Sequence, residues 1–316
     1  MTSASTAELV ERTRAGDRGA LARLLSLIEA GGADAVDAVA CLYPHTGGAW
    51  TIGVTGAPGA GKSTLTDRLI ARIRRDGAAV GVLAVDPSSP FSGGAILGDR
   101  VRMQGHATDP DVFIRSMASR GHLGGIALAT PQAVRVLDAV GIPWVIIETV
   151  GVGQVEVEVA GAADTTVVVV NPGWGDAVQT QKAGLLEVAD VLVVNKADRA
   201  GRDETVLDLH RMLALAAEHD WTPPVVETVA TEGKGVDDLW AAIDAHRAHL
   251  EASDGLAAKR AARSRDELRS LVREQVGSRA AVVCEGPSFD ELVTRVAERA
   301  LDPYAAVASL LDDPES

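Results

Sequence analysis

The chain has 316 residues and a formal net charge of −14, long enough for one large α/β core with helical additions. Aromatic residues make up only 3% and no basic stripe is interleaved with them, so nucleic acid is not an expected partner and the acidic balance reads as a solvated surface. Apolar runs such as Val167-Val168-Val169-Val170 fall far short of the roughly 18 residues of a membrane span. Met1 to Glu8 lack a secretory signal pattern, and Cys41 and Cys284 form no paired motif, so the expectation is a cytoplasmic protein with both cysteines buried as apolar residues.

Residues 1–48 read as a helical extension. Asp17 can N-cap a segment with Leu21, Leu24, Leu25 and Ile28 on one face, ended by Gly31-Gly32. Strands are predicted at 50–55, 80–85, 112–115, 143–148, 165–170, 191–195 and 224–229, alternating with helical segments. Their Val/Ile runs are continuous rather than alternating, which argues for a mostly parallel sheet covered on both faces. Residues 49–250 are therefore read as one α/β domain, a mostly parallel central sheet flanked by helices.

The first strand leads into Gly56-Ala57-Pro58-Gly59-Ala60-Gly61-Lys62-Ser63-Thr64, which fits the P-loop pattern G-x-x-x-x-G-K-[ST] between a strand and a helix. Its glycines let backbone N–H groups point at phosphates, with Gly56, Ala57, Gly59, Ala60 and Gly61 forming the cradle and the following helix adding its positive end. Lys62 can bridge the β- and γ-phosphates, and the Ser63 hydroxyl can ligate Mg²⁺. Further along, polar residues stand at strand ends, where ligands sit in open α/β sheets. Asp86 and Asp99 flank one such segment. Glu148 occupies the Walker B position, where it can hold a Mg²⁺-bound water, and the Gly151 N–H can contact a γ-phosphate.

Val191-Leu192-Val193-Val194-Asn195-Lys196-Ala197-Asp198 is a buried-type strand ending in N-K-x-D. The Asp198 carboxylate can accept hydrogen bonds from guanine N1–H and the 2-amino group, which adenine does not offer, so the nucleotide is read as GTP or GDP. Asn195 and Lys196 would brace that loop. The tail, 251–316, reads as a C-terminal helical extension that covers the main domain or serves as a dimerisation arm. Glu251–Gly255 is the linker, and the capping boxes Ser264-Arg265-Asp266-Glu267 and Ser288-Phe289-Asp290-Glu291 predict helix starts. Phe289, Leu292, Val293, Val296, Ala297, Ala300 and Leu301 form an apolar face, and Asp302-Pro303 opens one more helix.

With the P-loop and NKAD, the segments DPSSPFSGGAILGDRVRM, FIRSMASRGHLGG and ETVGVGQ resemble the methylmalonyl-CoA mutase-associated GTPases (MeaB/ArgK type) over roughly residues 15 to 250. The resemblance implies a P-loop GTPase acting as a nucleotide-dependent homodimer. It implies a cobalamin-dependent acyl-CoA mutase as partner, with the GTPase gating adenosylcobalamin loading and protecting the mutase. Lys62, Ser63 and Thr64 would serve the phosphates and Mg²⁺, Asp86 and Asp99 a first switch, and Glu148 a second. Asp176, Gln179, Lys182 and Gly184 match a third switch, and Asn195, Lys196 and Asp198 would hold guanine. Two positions depart from the family. Trp174 stands where a small residue is usual, and Val229 replaces a serine beside Ala230, whose backbone N–H would meet guanine O6.

The mechanism read from these residues is slow, partner-regulated hydrolysis. Gln154 is the candidate for positioning water, although its offset from Gly151 differs from that in Ras-like proteins. Arg100, Arg102, Arg115 and Arg120 read as surface salt-bridge residues rather than an arginine finger. Two alternatives are a kinase of the arginine/ornithine transport type and a GTPase serving another metalloenzyme, such as a nickel-insertion factor. The seven histidines are scattered, and the one helical pair, His246 and His249, reads as a solvated face. Cobalamin is not expected to bind this chain alone: Asp208-Leu209-His210 begins the D-x-H-x-x-G pattern, but Leu213 stands where glycine is needed.

Overall fold

The computed structural model describes residues 3–87, 103–106, 108–119, 125–149, 161–173, 188–215 and 220–311. Its centre is a sheet of β1 (Trp50–Gly56), β2 (Val80–Pro87), β3 (Val112–Ser119), β4 (Trp144–Thr149), β5 (Thr165–Val170), β6 (Val191–Asn195) and β7 (Val225–Thr228). The strand order is β3-β2-β4-β1-β5-β6-β7, and every neighbouring pair is parallel. All seven predicted segments are strands. β2 and β3 run further than their apolar cores suggested, because their ladder continues to Pro87 opposite Ser119.

The valine runs are explained by what lies on each face. Successive side chains of a strand point to opposite sides. Val167, Val169, Val191 and Val193 pack with Leu65, Leu69, Ile70 and Ile73 of α4 (Lys62–Arg75). Val168, Val170, Leu192 and Val194 pack instead with Leu209 of α6 (Arg202–Leu215). Farther along that second face, Leu83 and Val145 meet α1 (Ser3–Arg14), α2 (Arg18–Ala30), α3 (Ala33–Leu42) and α5 (Gly125–Ala139). The α2 helix forms as its sequence predicts. Asp17 Oδ1 accepts from Ala20 N at 3.0 Å, Leu21, Leu24, Leu25 and Ile28 are buried, and Gly31 ends the helix with φ +72°.

The cysteine expectation fails. Cys41 and Cys284 are both exposed. In α3 the buried stripe is taken by Ala35, Ala38 and Leu42, and Cys41 falls outside it.

The chain divides into two compact units, Met1–Arg263 and Ser264–Ser316. After α7 (Val236–Ala252), α8 (Gly255–Val283) is one continuous helix, so the Ser264 box does not start a helix. The Ser288 box fails for a different reason: α9 (Pro287–Ala297) begins one residue earlier, with proline in its first turn after Gly286 at φ +99° and no side-chain cap. Asp302 does cap α10 (Pro303–Leu311), its Oδ1 accepting from Tyr304 N and Ala305 N at 3.0 Å each.

Within the first unit, a buried ionic cluster ties the start of α8 to the sheet. Asp164, directly before β5, accepts from Arg260 at 2.9 Å, Arg263 at 2.7 Å and Thr51 N at 3.1 Å. Asp190, directly before β6, accepts from Lys259 at 2.7 Å and Thr166 N at 2.7 Å. His246 Nε2 lies 3.3 Å from Asp190 Oδ1, and its Nδ1 is 2.9 Å from Thr165 Oγ1. His246 is thus a buried member of this cluster, not part of a solvated face. It shares the inner stripe of α7 with Ile243 and Leu250, and its polar partners come from strand ends distant in sequence.

Burial pushes the Asp164 carboxyl up, but the Arg260 hydrogen bond and the Arg263 and Arg260 charges outweigh it and hold the group below the usual carboxylate range. For Asp190 burial is likewise outweighed, by the His246 hydrogen bond and the Lys259 charge. Groups with depressed native pKa stabilise the fold above their unfolded pKa, and that stability is lost as pH falls through the native value. Urea stability should therefore drop as pH is lowered through about 4 and below. At neutral pH, Asp164→Ala should lower it by about 2–3 kcal/mol, since two partly buried arginines and the buried Thr51 amide would lose their acceptor. An unchanged urea midpoint would contradict this.

Candidate nucleotide site

β1 lies between β4 and β5, and the chain leaves it first toward β2 on one side and later reaches β5 on the other. Its carboxyl end is therefore the switch point of the sheet, where a crevice opens. Gly56 ends the strand with φ +132°, and a Cβ there would collide with the Val169 carbonyl oxygen. Gly61 precedes α4 with φ +93°, and a Cβ there would collide with Asn195 Nδ2. Between them lie Ala57, Gly59 and the buried Ala60, whose amide donates to Ala57 O at 3.1 Å. Gly61 caps α4 without a side-chain hydrogen bond, an arrangement that suits an anion at the helix start.

The three P-loop side chains occupy the first turn of α4. Lys62 is buried and curls back, its Nζ donating to Gly56 O at 2.6 Å and Ala57 O at 3.0 Å. Ser63 Oγ donates to Glu148 Oε1 at 2.6 Å, with both residues buried. Thr64 follows, half-buried. Glu148 reaches Ser63 because β4 is hydrogen-bonded to β1, with Glu148 opposite Val54. A serine hydroxyl against a buried carboxylate is an all-oxygen donor pair of the kind that suits a hard divalent cation.

The NKAD segment reaches the same crevice from β6. Asn195 is buried at the strand end. Its Nδ2 donates to Ala60 O at 2.8 Å, while its Oδ1 accepts from Thr228 Oγ1 at 3.0 Å and Ala230 N at 3.1 Å. Lys196, at φ +57°, donates through Nζ to Gly59 O at 2.6 Å. The turn is closed by Ala197 N to Thr228 O at 3.0 Å, and Asp198 is exposed on it. Val229 begins the 3₁₀ turn Ala230–Glu232, and its backbone bridges to Lys234. Lys234 stands nearby, its ammonium held charged to higher pH by the hydrogen bond it donates to Glu232 and, more weakly, by Asp198.

The structure thus brings Gly56, Ala57, Gly59, Ala60, Gly61, Lys62, Ser63 and Glu148 together with Asn195, Lys196, Val229 and Ala230. The backbone of Asp86 lies in β2 opposite Ala118. Asp99, Gly151, Gln154, Trp174, Asp176, Gln179, Lys182, Gly184, Arg100, Arg102 and Arg120 lie outside the described residues. Arg115 is a salt-bridge residue as read, bonded to Glu29 and to Ser26 Oγ of α2. Sequence reasoning missed two contributors. Thr228 anchors Asn195, and its place before Val229-Ala230 was the available signal. Arg68 of α4 donates to the carbonyls of Ala230 and Thr231, 162 and 163 residues away in sequence, and nothing local distinguishes it from the other arginines of that helix.

The sequence model of the methylmalonyl Co-A mutase-associated GTPase MeaB family matches residues 21–285. The chain belongs to the MeaB family. A Pyrococcus abyssi protein named as a GTPase is 50% identical, over 97% of this chain and 96% of its own length. The GTPase ArgK of Escherichia coli is 39% identical over 86% of this chain and 85% of its own. A crystal structure titled LAO/AO transport system kinase superposes with a TM-score of 0.73 at 28% identity, covering 100% of this chain and 99% of that one. This MeaB-family member is accordingly a P-loop GTPase. No helix among the described residues is long and apolar enough to cross a membrane.

The loop geometry of this MeaB-family GTPase makes one substitution diagnostic. Gly61→Ala places a side chain in left-handed backbone, costing about 1–2 kcal/mol, and drives it into Asn195. Titration with GDP should show at least about a tenfold loss of affinity. Unchanged affinity would contradict the packing of Gly61 on Asn195.

Proposed function

We propose that this GTPase is a GTP-dependent chaperone of a cobalamin-dependent acyl-CoA mutase, methylmalonyl-CoA mutase or a relative, gating adenosylcobalamin loading and protecting the enzyme. The observation that carries the reading is the joining of a phosphate loop and an N-K-x-D loop by Asn195 and Lys196, in a chain of a family described as mutase-associated. The homodimer, with the C-terminal extension as its arm, belongs to the same proposal.

At the site, the Lys62 ammonium would exchange its two loop carbonyls for the β- and γ-phosphates, and the amides from Gly59 to Thr64 would line the phosphate chain. Ser63 and Glu148, with Asp86 and Asp99 from the first switch, would hold Mg²⁺, which supplies charge neutralisation for the phosphates. Hydrolysis forms a bond from water oxygen to the γ-phosphorus and breaks the bond to the β–γ bridging oxygen. Lys62 and the loop amides stabilise the charge that shifts onto GDP. Gln154 is proposed to orient the water and Gly151 to sense the γ-phosphate. Asp198 would select guanine, with the base held beside Asn195 and Lys196.

Two measurements test this. In a nucleotide-binding assay, Asp198→Asn should weaken GTP and favour xanthosine triphosphate, because the amide can donate to the 2-oxo group that the carboxylate repels. No exchange of preference would reject the guanine reading. The purified protein should hydrolyse GTP slowly and be stimulated by one cobalamin-dependent acyl-CoA mutase of the same genome, with GTP-dependent complex formation. Intrinsic turnover of roughly 10 per second or more would contradict a switch that persists long enough to be read. GTP binding without stimulation by any such mutase would reject the client. Transfer of phosphate from GTP to arginine or ornithine would favour the kinase reading.

A further inference from the structure

Arg68 projects from the second turn of α4, the helix whose first turn carries Lys62 and Ser63. Its Nε donates to Ala230 O at 2.9 Å and one Nη to Thr231 O at 3.0 Å. Both carbonyls belong to the single 3₁₀ turn Ala230–Glu232. In such a turn the carbonyls aim toward its C-terminal side and the amides the opposite way. The guanidinium therefore holds the turn from behind. The Ala230 amide faces forward and donates to Asn195 Oδ1 at 3.1 Å.

This support has physical weight for two reasons. A planar guanidinium on two successive carbonyls makes charge-assisted bonds of fixed direction, which a flexible ammonium does not reproduce. Val229, entering the turn, carries no hydroxyl with which to bond its own backbone. The turn is closed by its own backbone, Glu232 N donating to Val229 O at 2.9 Å and Val229 N to Lys234 O at 3.0 Å, and Asn195 in front and Arg68 behind are the side chains that hold it in place.

We propose that Arg68 is a positioning residue for base selection. It fixes the turn whose Ala230 amide, which donates to Asn195 Oδ1 here, would be shared with the 6-oxo group of guanine, and it does so from the phosphate-binding helix. The inference rests on the guanine reading above and adds the group that sets discrimination at the 6-position.

The test is calorimetric titration of the full chain and its Arg68→Met and Arg68→Lys variants with three nucleotides, and of the unsubstituted chain with ADP as well. GDP is the reference. 6-Thio-GDP keeps N1–H and the 2-amino group and weakens only the 6-acceptor. IDP keeps the 6-oxo group and lacks only the 2-amino group assigned to Asp198. Arg68→Met should weaken GDP and IDP equally, by about tenfold, and 6-thio-GDP much less. The preference for GDP over 6-thio-GDP then collapses while that for GDP over IDP stands. Arg68→Lys should show the same collapse in part, and it carries the test if the methionine variant does not fold. Equal weakening of all three ligands would mark a merely structural role and overturn the proposal, as would no change in the GDP to 6-thio-GDP ratio. If the wild-type chain does not prefer GDP to ADP, the guanine reading itself fails. If it does and the 6-thio ratio is unmoved in both variants, only the role of Arg68 fails.

Discussion

The site depends on one buried side-chain amide. Asn195 stands at the end of β6 with its nitrogen on the Ala60 carbonyl of the P-loop and its oxygen shared by Thr228 and Ala230. A primary amide offers donors on one atom and acceptor sites on the other, so it can join two segments of opposite need without charge. Lys196 adds a second tie from the same loop to Gly59. The loop assigned to phosphate and the loop assigned to base are thereby one body. The close approach also explains Gly61, since the space a side chain would need is filled by the Asn195 amide.

What keeps that amide in place is the parallel sheet. β1, β5 and β6 are adjacent, so Gly56, the end of β5 and Asn195 arrive at one edge with their heights set by ladder register. At the opposite edge, Asp164 and Asp190 take up the cations of α8 and the imidazole of α7. Burying two carboxylates is costly unless each is paired and hydrogen-bonded, and here both conditions are met. The result is that the strands feeding the nucleotide edge are gripped at their starts by helices that follow much later in the chain.

Much of this was legible in the sequence because it is local. Unbroken valine and isoleucine runs announce strands buried on both faces, and seven of them were found where expected. The P-loop and N-K-x-D are short stretches whose chemistry is written in adjacent residues. The misreadings concern partners supplied from far away. His246 has the sequence neighbourhood of a surface helix, yet its partners come from the starts of β5 and β6. Ser264 has the pattern of a helix start, but α8 is already helical from Gly255. Ser288 lost its role to a proline one residue earlier. Arg68 reads as one arginine among several until the fold brings the Ala230 turn against it.

The coupling of phosphate and base loops through Asn195 can be measured directly with a ligand that has no base. Calorimetric titration of wild type and Asn195→Ala with GTP and with inorganic triphosphate separates the two halves of the site. If the amide braces both loops, the substitution weakens both ligands, triphosphate by about tenfold and GTP by more, because the Ala60 carbonyl loses its partner as well as the base turn. Loss of GTP affinity with triphosphate binding unchanged would show that Asn195 serves the base side alone, and the account of a single joined site would be wrong.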